Sequence, residues 1–281
     1  MPDADAVRVL DHRHLLDALA LLRRDPITNV FAEARLRGGG WSAGRSGAQV
    51  WGYFSHRRLA SLCYAGTNLV LAEAAPQAVR CFAQHARRAS RHCSSIMGPA
   101  EPTAEFWHLI EPMWGPARDI RPCQPLLAIR ALSPTVAADP AVRLVRPDEL
   151  DVVLPACVAM FSEEVGVPPM TGDTDFRYRN QVAELIRAGR SFARIEDGRV
   201  LFKAEIGSVT PEACQIDGVW VPADLRGRGL SPGGVAAVVA HALRSIAPAV
   251  CLYVNADNTP ARATYQRVGF AEAGAFMSVL F

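Results

Sequence analysis

Residues 221–234 read VPADLRGRGLSPGG, and the chemistry open to such a stretch is the holding of an anion. Gly227 and Gly229 allow close backbone approach and unusual dihedrals, Arg226 and Arg228 add positive charge, and an apolar run with helical spacing follows. Unpaired amides at the start of a helix, at the positive end of its dipole, suit a phosphate. Ser231 is expected as the N-cap and Pro232 as the first helical residue. No Gly-Lys-Ser/Thr follows and the G-x-G-x-x-G spacing is absent, which excludes a Walker loop and a dinucleotide fingerprint. Taken alone, the loop also reads as a flexible glycine turn.

Residues 253–270, YVNADNTPARATYQRVGF, hold a second set of reactive and binding side chains. A strand ends in Asn255, and a helix follows with Asn258 near its cap and Tyr265 seven residues later, nearly two turns on. Asn258, Ala261 with Arg262, and Tyr265 therefore fall close to one side, and the small Ala261 leaves room for a ligand to run past toward the phenol.

The elements that must position these residues follow from periodicity. After a break at 131–141, ALSPTVAADPA, come a strand (142–146), helices (148–165 and 175–189), and a hairpin turning at Asp197-Gly198. The strand CQIDGVWV (214–221) then leads into the glycine-rich loop, a helix (231–247), the strand VCLYV (250–254), a helix (259–268) and strands reaching Phe281. Before the break the order is helices (12–24, 28–37), strands (50–54, 59–65, 68–74), a helix (76–91), a strand (94–97), a helix (103–111) and a last strand, PLLAIRA. The fold class is α/β, or α+β, with mixed, mainly antiparallel sheets flanked by helices. Two domains are expected, 1–130 and 141–281, with 131–140 as the linker.

Composition sets the outer limits. With 281 residues, 50% hydrophobic, 21% charged and a formal net charge of +2, the chain gives no general case for nucleic-acid or membrane partners. No apolar stretch approaches the about 20 residues of a membrane span. The opening MPDADAVRVLDHRHLLDAL carries acids where a signal peptide carries positive charge, so a cytoplasmic location is expected. Seven cysteines are scattered without a C-x-x-C pair and read as reduced thiols, and the histidines show no metal spacing, so no metal is expected. A second glycine run, RLRGGGWSAGRSG (35–47), sits between a helix and a strand and reads as a surface loop.

The two motifs together resemble those of the GCN5-related N-acetyltransferase (GNAT) superfamily. The loop is similar to its R/Q-x-x-G-x-G/A pattern, with Arg226 first and Gly229 fourth, and departs from it at Ser231. The second stretch matches N-x-x-A-x-x-x-Y-x-x-x-G-F at Asn258, Ala261, Tyr265, Gly269 and Phe270. The first half looks like a degenerate copy of the same fold. The whole chain, with DPITNVFAEARL and CSSIMGPAE, resembles an actinobacterial two-domain group with an N-terminal domain of unknown function.

The resemblance implies an acetyl-CoA cleft between the strand at 214–221 and VCLYV. Backbone groups of Val219, Trp220 and Val221 would pair with pantetheine, and the amides of Gly227, Arg228, Gly229, Leu230 and Ser231, with Arg226, would hold the pyrophosphate. Asn255, Asn258 and Arg262 complete the implied binding set. Direct acetyl transfer to an amine then needs a proton for the thiolate, for which Tyr265 is the expected general acid, and a base, for which Asp217 and Glu205 compete. Strict alternation puts Gln215, Asp217 and Val219 on one face and Ile216, Gly218 and Trp220 on the other. Glu163 and Glu164 either meet a cationic substrate or form a solvated face. An acyl-cysteine route through Cys214 or Cys251 is a minor alternative, since neither has a histidine nearby in sequence. The acceptor is a small molecule or a protein amine, and the assembly a monomer or homodimer. The rival function is a non-catalytic acetyl-CoA-binding sensor or scaffold.

Overall fold

The computed structural model describes residues 6–39, 47–88, 91–170, 172 and 175–281. Most of the second glycine run lies outside the described residues. Contacts divide the chain into two units. Unit 1 comprises the chain up to Leu127 with Tyr253–Asn258 and Glu272–Phe281, and unit 2 comprises Ala128–Leu252 and Thr259–Ala271.

Unit 1 contains β1 (Ala6–Val9), α1 (Leu15–Leu22), α2 (Val30–Arg37), β2 (Gln49–Ser55), β3 (Arg58–Ala65), β4 (Asn68–Ala72), α3 (Pro76–Ala86), β5 (Ser95–Pro99), α4 (Ala100–Trp114) and β6 (Asp119–Ile129). Unit 2 contains β7 (Arg143–Leu144), α5 (Leu150–Val165), α6 (Asp175–Arg187), β8 (Ser191–Glu196), β9 (Arg199–Val209), β10 (Cys214–Trp220), α7 (Leu230–Ser245), β11 (Val250–Tyr253) and α8 (Thr259–Val268). The chain closes with β12 (Ala271–Leu280).

In unit 1 the strand order is β1-β2-β3-β4-β5-β12-β6, with β4 and β5 parallel. The period of two along its strands builds a core on each face. Trp51, Tyr53, Leu69, Leu71 and Ile96 join Phe82 of α3 and Phe106 of α4, whereas Val50, Leu62, Val70 and Met97 join Leu19 of α1 and Leu36 of α2. Phe82 and Phe106 are fully buried, each contributing on the order of 1.5–3 kcal/mol. β1 escapes the sequence reading because its four residues carry too few side chains to show a period.

The last strand of the chain is a member of unit 1. β12 pairs antiparallel with β5, from Phe276 opposite Pro99 to Leu280 opposite Ser95. Tyr253–Asn258 follows it into the same unit: the Val254 N–H donates to the Pro125 carbonyl at 3.2 Å and the Ala256 N–H to that of Cys123 at 3.3 Å. A single cut in the chain at 131–140 therefore does not separate the two units.

Unit 2 has the order β11-β10-β9-β8-β7. Val153, Cys157, Val182 and Ile186 of α5 and α6 pack on one face with Ala193 and Val200. On α7, Gly234 allows close approach to the sheet, since a Cβ there would meet the Phe202 ring at 2.6 Å. The segment before β7 is tied down: Asp139 pairs with Arg194 at 3.0 Å, and its N–H donates to the Gly233 carbonyl at 3.0 Å.

Candidate active site

The site in unit 2 is built where β10 and β11 part. These parallel strands are in register at Cys214 with Val250 and Gln215 with Cys251, while β10 runs on to Trp220. β10 is also bulged. Asp217 stands opposite Glu205 and Trp220 opposite Lys203, so Gly218 and Val219 together face the single residue Ala204. Gly218 carries the turn with φ of +58°, a left-handed conformation that favours glycine. This bulge corrects the strict alternation expected for residues 215–220, because an extra residue resets the facing of everything after Asp217.

The loop after β10 opens α7 differently from expectation. Gly229, in the left-handed region at φ +78°, is the N-cap, so α7 begins at Leu230 and Ser231 lies inside its first turn. No side chain caps this helix start. The expected Ser-Pro cap gives way because the glycine just upstream makes the left-handed bend at no steric cost. Gly227 is likewise left-handed at φ +76°, and a Cβ on either glycine would have nothing within 4 Å. The result is an exposed glycine backbone, flanked by the exposed Arg226 and Arg228, at a helix start with unmet N–H donors. These residues fit a pyrophosphate.

Arg226 is already engaged by a carboxylate. Its guanidinium pairs with Glu163 of α5 at 2.5 Å, its Nε–H donates to the Val221 carbonyl at 3.0 Å, and the Trp220 indole N–H donates to Glu163 at 3.1 Å. Glu163 thus links α5 to the end of β10 and the loop.

Tyr265 is buried at 7% exposure on α8, its ring edge-on to Phe270 with centroids 5.7 Å apart. Its carbonyl accepts the N–H groups of Gly269 and Phe270, which ends the helix. Gly269, at φ +111°, leaves room for Ser133, whose N–H donates to the Val268 carbonyl at 3.0 Å. Burial, reinforced by the charges of Glu164 and Asp217, pushes the Tyr265 phenol well above its usual range. It stays protonated at neutral pH, as a proton donor must.

The two carboxylates in the cross-strand pair have different surroundings. Asp217 is half-buried, accepts from Gln215 Nε2 at 2.7 Å, and lies against Gly207, where any Cβ would collide with its Oδ2. Glu205 is 9% exposed and ion-paired to Lys203 Nζ at 2.7 Å, and the Cys157 Sγ–H donates to it at 3.4 Å. Lys203, 1% exposed, and Cys157 were not singled out in the sequence. The available signal was a lysine and a glutamate two apart in the otherwise apolar stretch VLFKAEI.

The remaining expected residues are placed as follows. Val219 is half-buried in the bulge, Val221 is buried, and Arg262 is half-buried on α8. Asn255 and Asn258 belong to the segment grouped with unit 1, where the Asn255 carboxamide oxygen accepts from Gln124 Nε2 at 2.8 Å. All seven cysteines are free, and burial pushes the Cys214 thiol up to about 12, unfavourable for a nucleophile. Among the described residues no cluster of His, Cys, Asp and Glu suits a metal, and no helix is long and apolar enough to cross a membrane.

Comparison with known proteins agrees with this geometry. Residues 203–278 match the family described as FR47-like protein, and residues 48–153 match a domain of unknown function, DUF4081. No curated protein matches the chain in sequence. Among solved structures, a GNAT-family acetyltransferase from Colwellia psychrerythraea is similar with a TM-score of 0.58 at 14% identity, covering 98% of this chain and 99% of its own. A GCN5-related N-acetyltransferase from Sphaerobacter thermophilus gives 0.59 at 16% identity, covering 99% of this chain and 96% of its own. A tandem GNAT protein from the clavulanic acid biosynthesis pathway gives 0.58 at 15% identity, covering 98% of both chains. At these identities the likeness is one of fold, and it extends over both halves. The chain thus shares the fold of these GCN5-related N-acetyltransferases, and its residues 203–278 resemble the FR47-like family.

Proposed function

We propose that the protein is an N-acetyltransferase that uses acetyl-CoA and passes its acetyl group directly to an amine of a small molecule or a protein, in the cytoplasm. The observation that carries this reading is the start of α7, uncapped and entered through two left-handed glycines. Those N–H groups, with Arg226 and Arg228, would receive the pyrophosphate, and Arg226 would exchange Glu163 for it. The backbone of β10 at Val219 and Trp220, with Val221 just beyond it, would pair with pantetheine, placing the thioester beside the bulge.

The steps assigned to this chain are proton transfers and charge stabilisation. An acceptor arriving as an ammonium first loses a proton, to Asp217 directly or through water. Asp217 is preferred over Glu205, whose carboxylate is committed to the Lys203 ammonium. Backbone N–H groups near Val219 polarise the thioester carbonyl as the amine attacks. As the C–S bond breaks, the Tyr265 hydroxyl would give its proton to the departing thiolate and regain one, directly or through water, from the nitrogen that becomes the amide.

The reading is tested by calorimetry with acetyl-CoA, followed by thiol release against a panel of amines and short lysine peptides. Binding with amine-dependent release that Tyr265→Phe suppresses supports it. Binding without release for any amine replaces it with the sensor or scaffold reading, and absence of binding removes both.

A further inference from the structure

The ion pair of Lys203 and Glu205 is used by none of the steps above, and burying it is unfavourable by itself. Two charges removed from water are only partly repaid by their attraction, and apolar residues of similar size are often as stable. Its placement gives it a use. Lys203 and Glu205 alternate along β9 with Phe202, Ala204 and Ile206, so both leave the same face of the strand. In register they stand opposite Trp220 and Asp217, the two residues that bracket the bulge. A Cβ on Gly218 would lie 3.1 Å from Lys203 Nζ, 3.4 Å from Glu205 Oε2 and 2.9 Å from Met160 Cε, so the bulge rests on the pair.

We propose that Lys203, paired with Glu205, is a positioning residue that fixes the backbone of β10 at Gly218 and Val219, the segment against which the thioester carbonyl is held. The inference rests on the acetyl-CoA reading of that segment. The ion pair draws Lys203 and Glu205 together across Ala204, which keeps two residues of β10 arched over one residue of β9. Nζ lies 2.7 Å from Glu205 Oε1, and charge attraction holds it there. Cys157 backs Glu205 from α5, and the Tyr178 hydroxyl donates to the Cys157 carbonyl at 2.9 Å, fastening α6 to the same support. Burial lowers the Lys203 affinity for its proton, but the interactions with Glu205 and Cys157 together more than offset this and the ammonium persists.

The test compares the wild type with Lys203→Met and with the double variant Lys203→Met/Glu205→Leu, which removes both charges and keeps the volume should the single variant fail to fold. Five readouts are taken: melting temperature, backbone amide shifts of Gly218 and Val219 without ligand, acetyl-CoA affinity, the 13C shift of carbonyl-labelled acetyl-CoA when bound, and kcat with KM. The expected double variant melts near the wild-type temperature and binds acetyl-CoA with little change in affinity. Its Gly218 and Val219 amides move, the downfield carbonyl shift seen with wild type disappears, and kcat falls roughly a hundredfold without a matching change in KM. Amides that stay in place, or a carbonyl shift that survives the double variant, overturn the proposal. If wild-type protein binds no acetyl-CoA the catalytic part falls with that reading, while the amide shifts still decide whether the pair holds the bulge.

Discussion

The crossover from β4 through α3 to β5 and α4 in unit 1 has the same strand-helix-strand-helix order as that from β10 through α7 to β11 and α8 in unit 2. Between β4 and α3 lie only Glu73, Ala74 and Ala75, with Pro76 opening the helix, whereas Val221–Gly229 separates β10 from α7. β4 and β5 are in register over three positions, and a Cβ on Gly98 would meet the Leu71 carbonyl at 3.2 Å, so their backbones stay close. β10 and β11 are in register over two, and β10 then bulges. Pro102 and Trp107 in α4 are spaced as Pro260 and Tyr265 are in α8, and an indole N–H cannot supply a proton to a thiolate as a phenol can. The same framework therefore serves as packing in unit 1 and as a candidate site in unit 2, and the difference lies in loop length, strand separation and one aromatic side chain.

The sharpest way to break this contrast is at the aromatic pair. Tyr265→Phe should lower amine-dependent thiol release by roughly 10²–10⁴-fold while leaving acetyl-CoA affinity nearly unchanged. Trp107→Phe should leave release intact; equal losses in the two variants would erase the distinction. Next comes the loop. Gly229→Val places a β-branched residue at φ +78°, a strain of about 1–3 kcal/mol, and titration should show affinity weakened by roughly tenfold or more. Ala74→Val in the short loop of unit 1 should leave affinity unaltered.

A smaller effect is expected at Gly234. Gly234→Ala sets a methyl 2.6 Å from the Phe202 ring, which should cost about 1–3 kcal/mol, seen as a lower melting temperature for unit 2. The smallest effect concerns pH. Beside the Arg143 guanidinium, the Glu149 carboxyl is held at about 2, below its ordinary 4.5. A carboxyl depressed on folding stabilises fully above its unfolded pKa, so this contribution should fade as pH drops from about 4.5 toward 2. Glu149→Gln should flatten that part of the stability profile, measured by thermal melts across the range.

Much of this was legible in the sequence because its signals are local. Val235, Val238, Val239 and Ala242 mark α7, Asp197-Gly198 marks the hairpin, and Gly227 and Gly229 mark the backbone that turns left-handed. Ser231-Pro232 misled because the pair is a good helix start in isolation, and only three dimensions show that Gly229 begins the helix first. The bulge was hidden because alternation has no term for an extra residue, although Gly218 in mid-strand was its trace. The membership of β12 in unit 1 was beyond reach, since pairing between Ser95–Pro99 and Phe276–Leu280 leaves no mark in either segment alone.

On the proposed reading the two like crossovers differ in function, with the pyrophosphate of the one bound cofactor held at the start of α7 in unit 2. Calorimetric titration of the full chain with acetyl-CoA, repeated on Gly229→Val, tests it most directly. The account predicts one molecule bound per chain and marked weakening in the variant. Two molecules per chain, or one whose affinity is untouched by Gly229→Val, would contradict it.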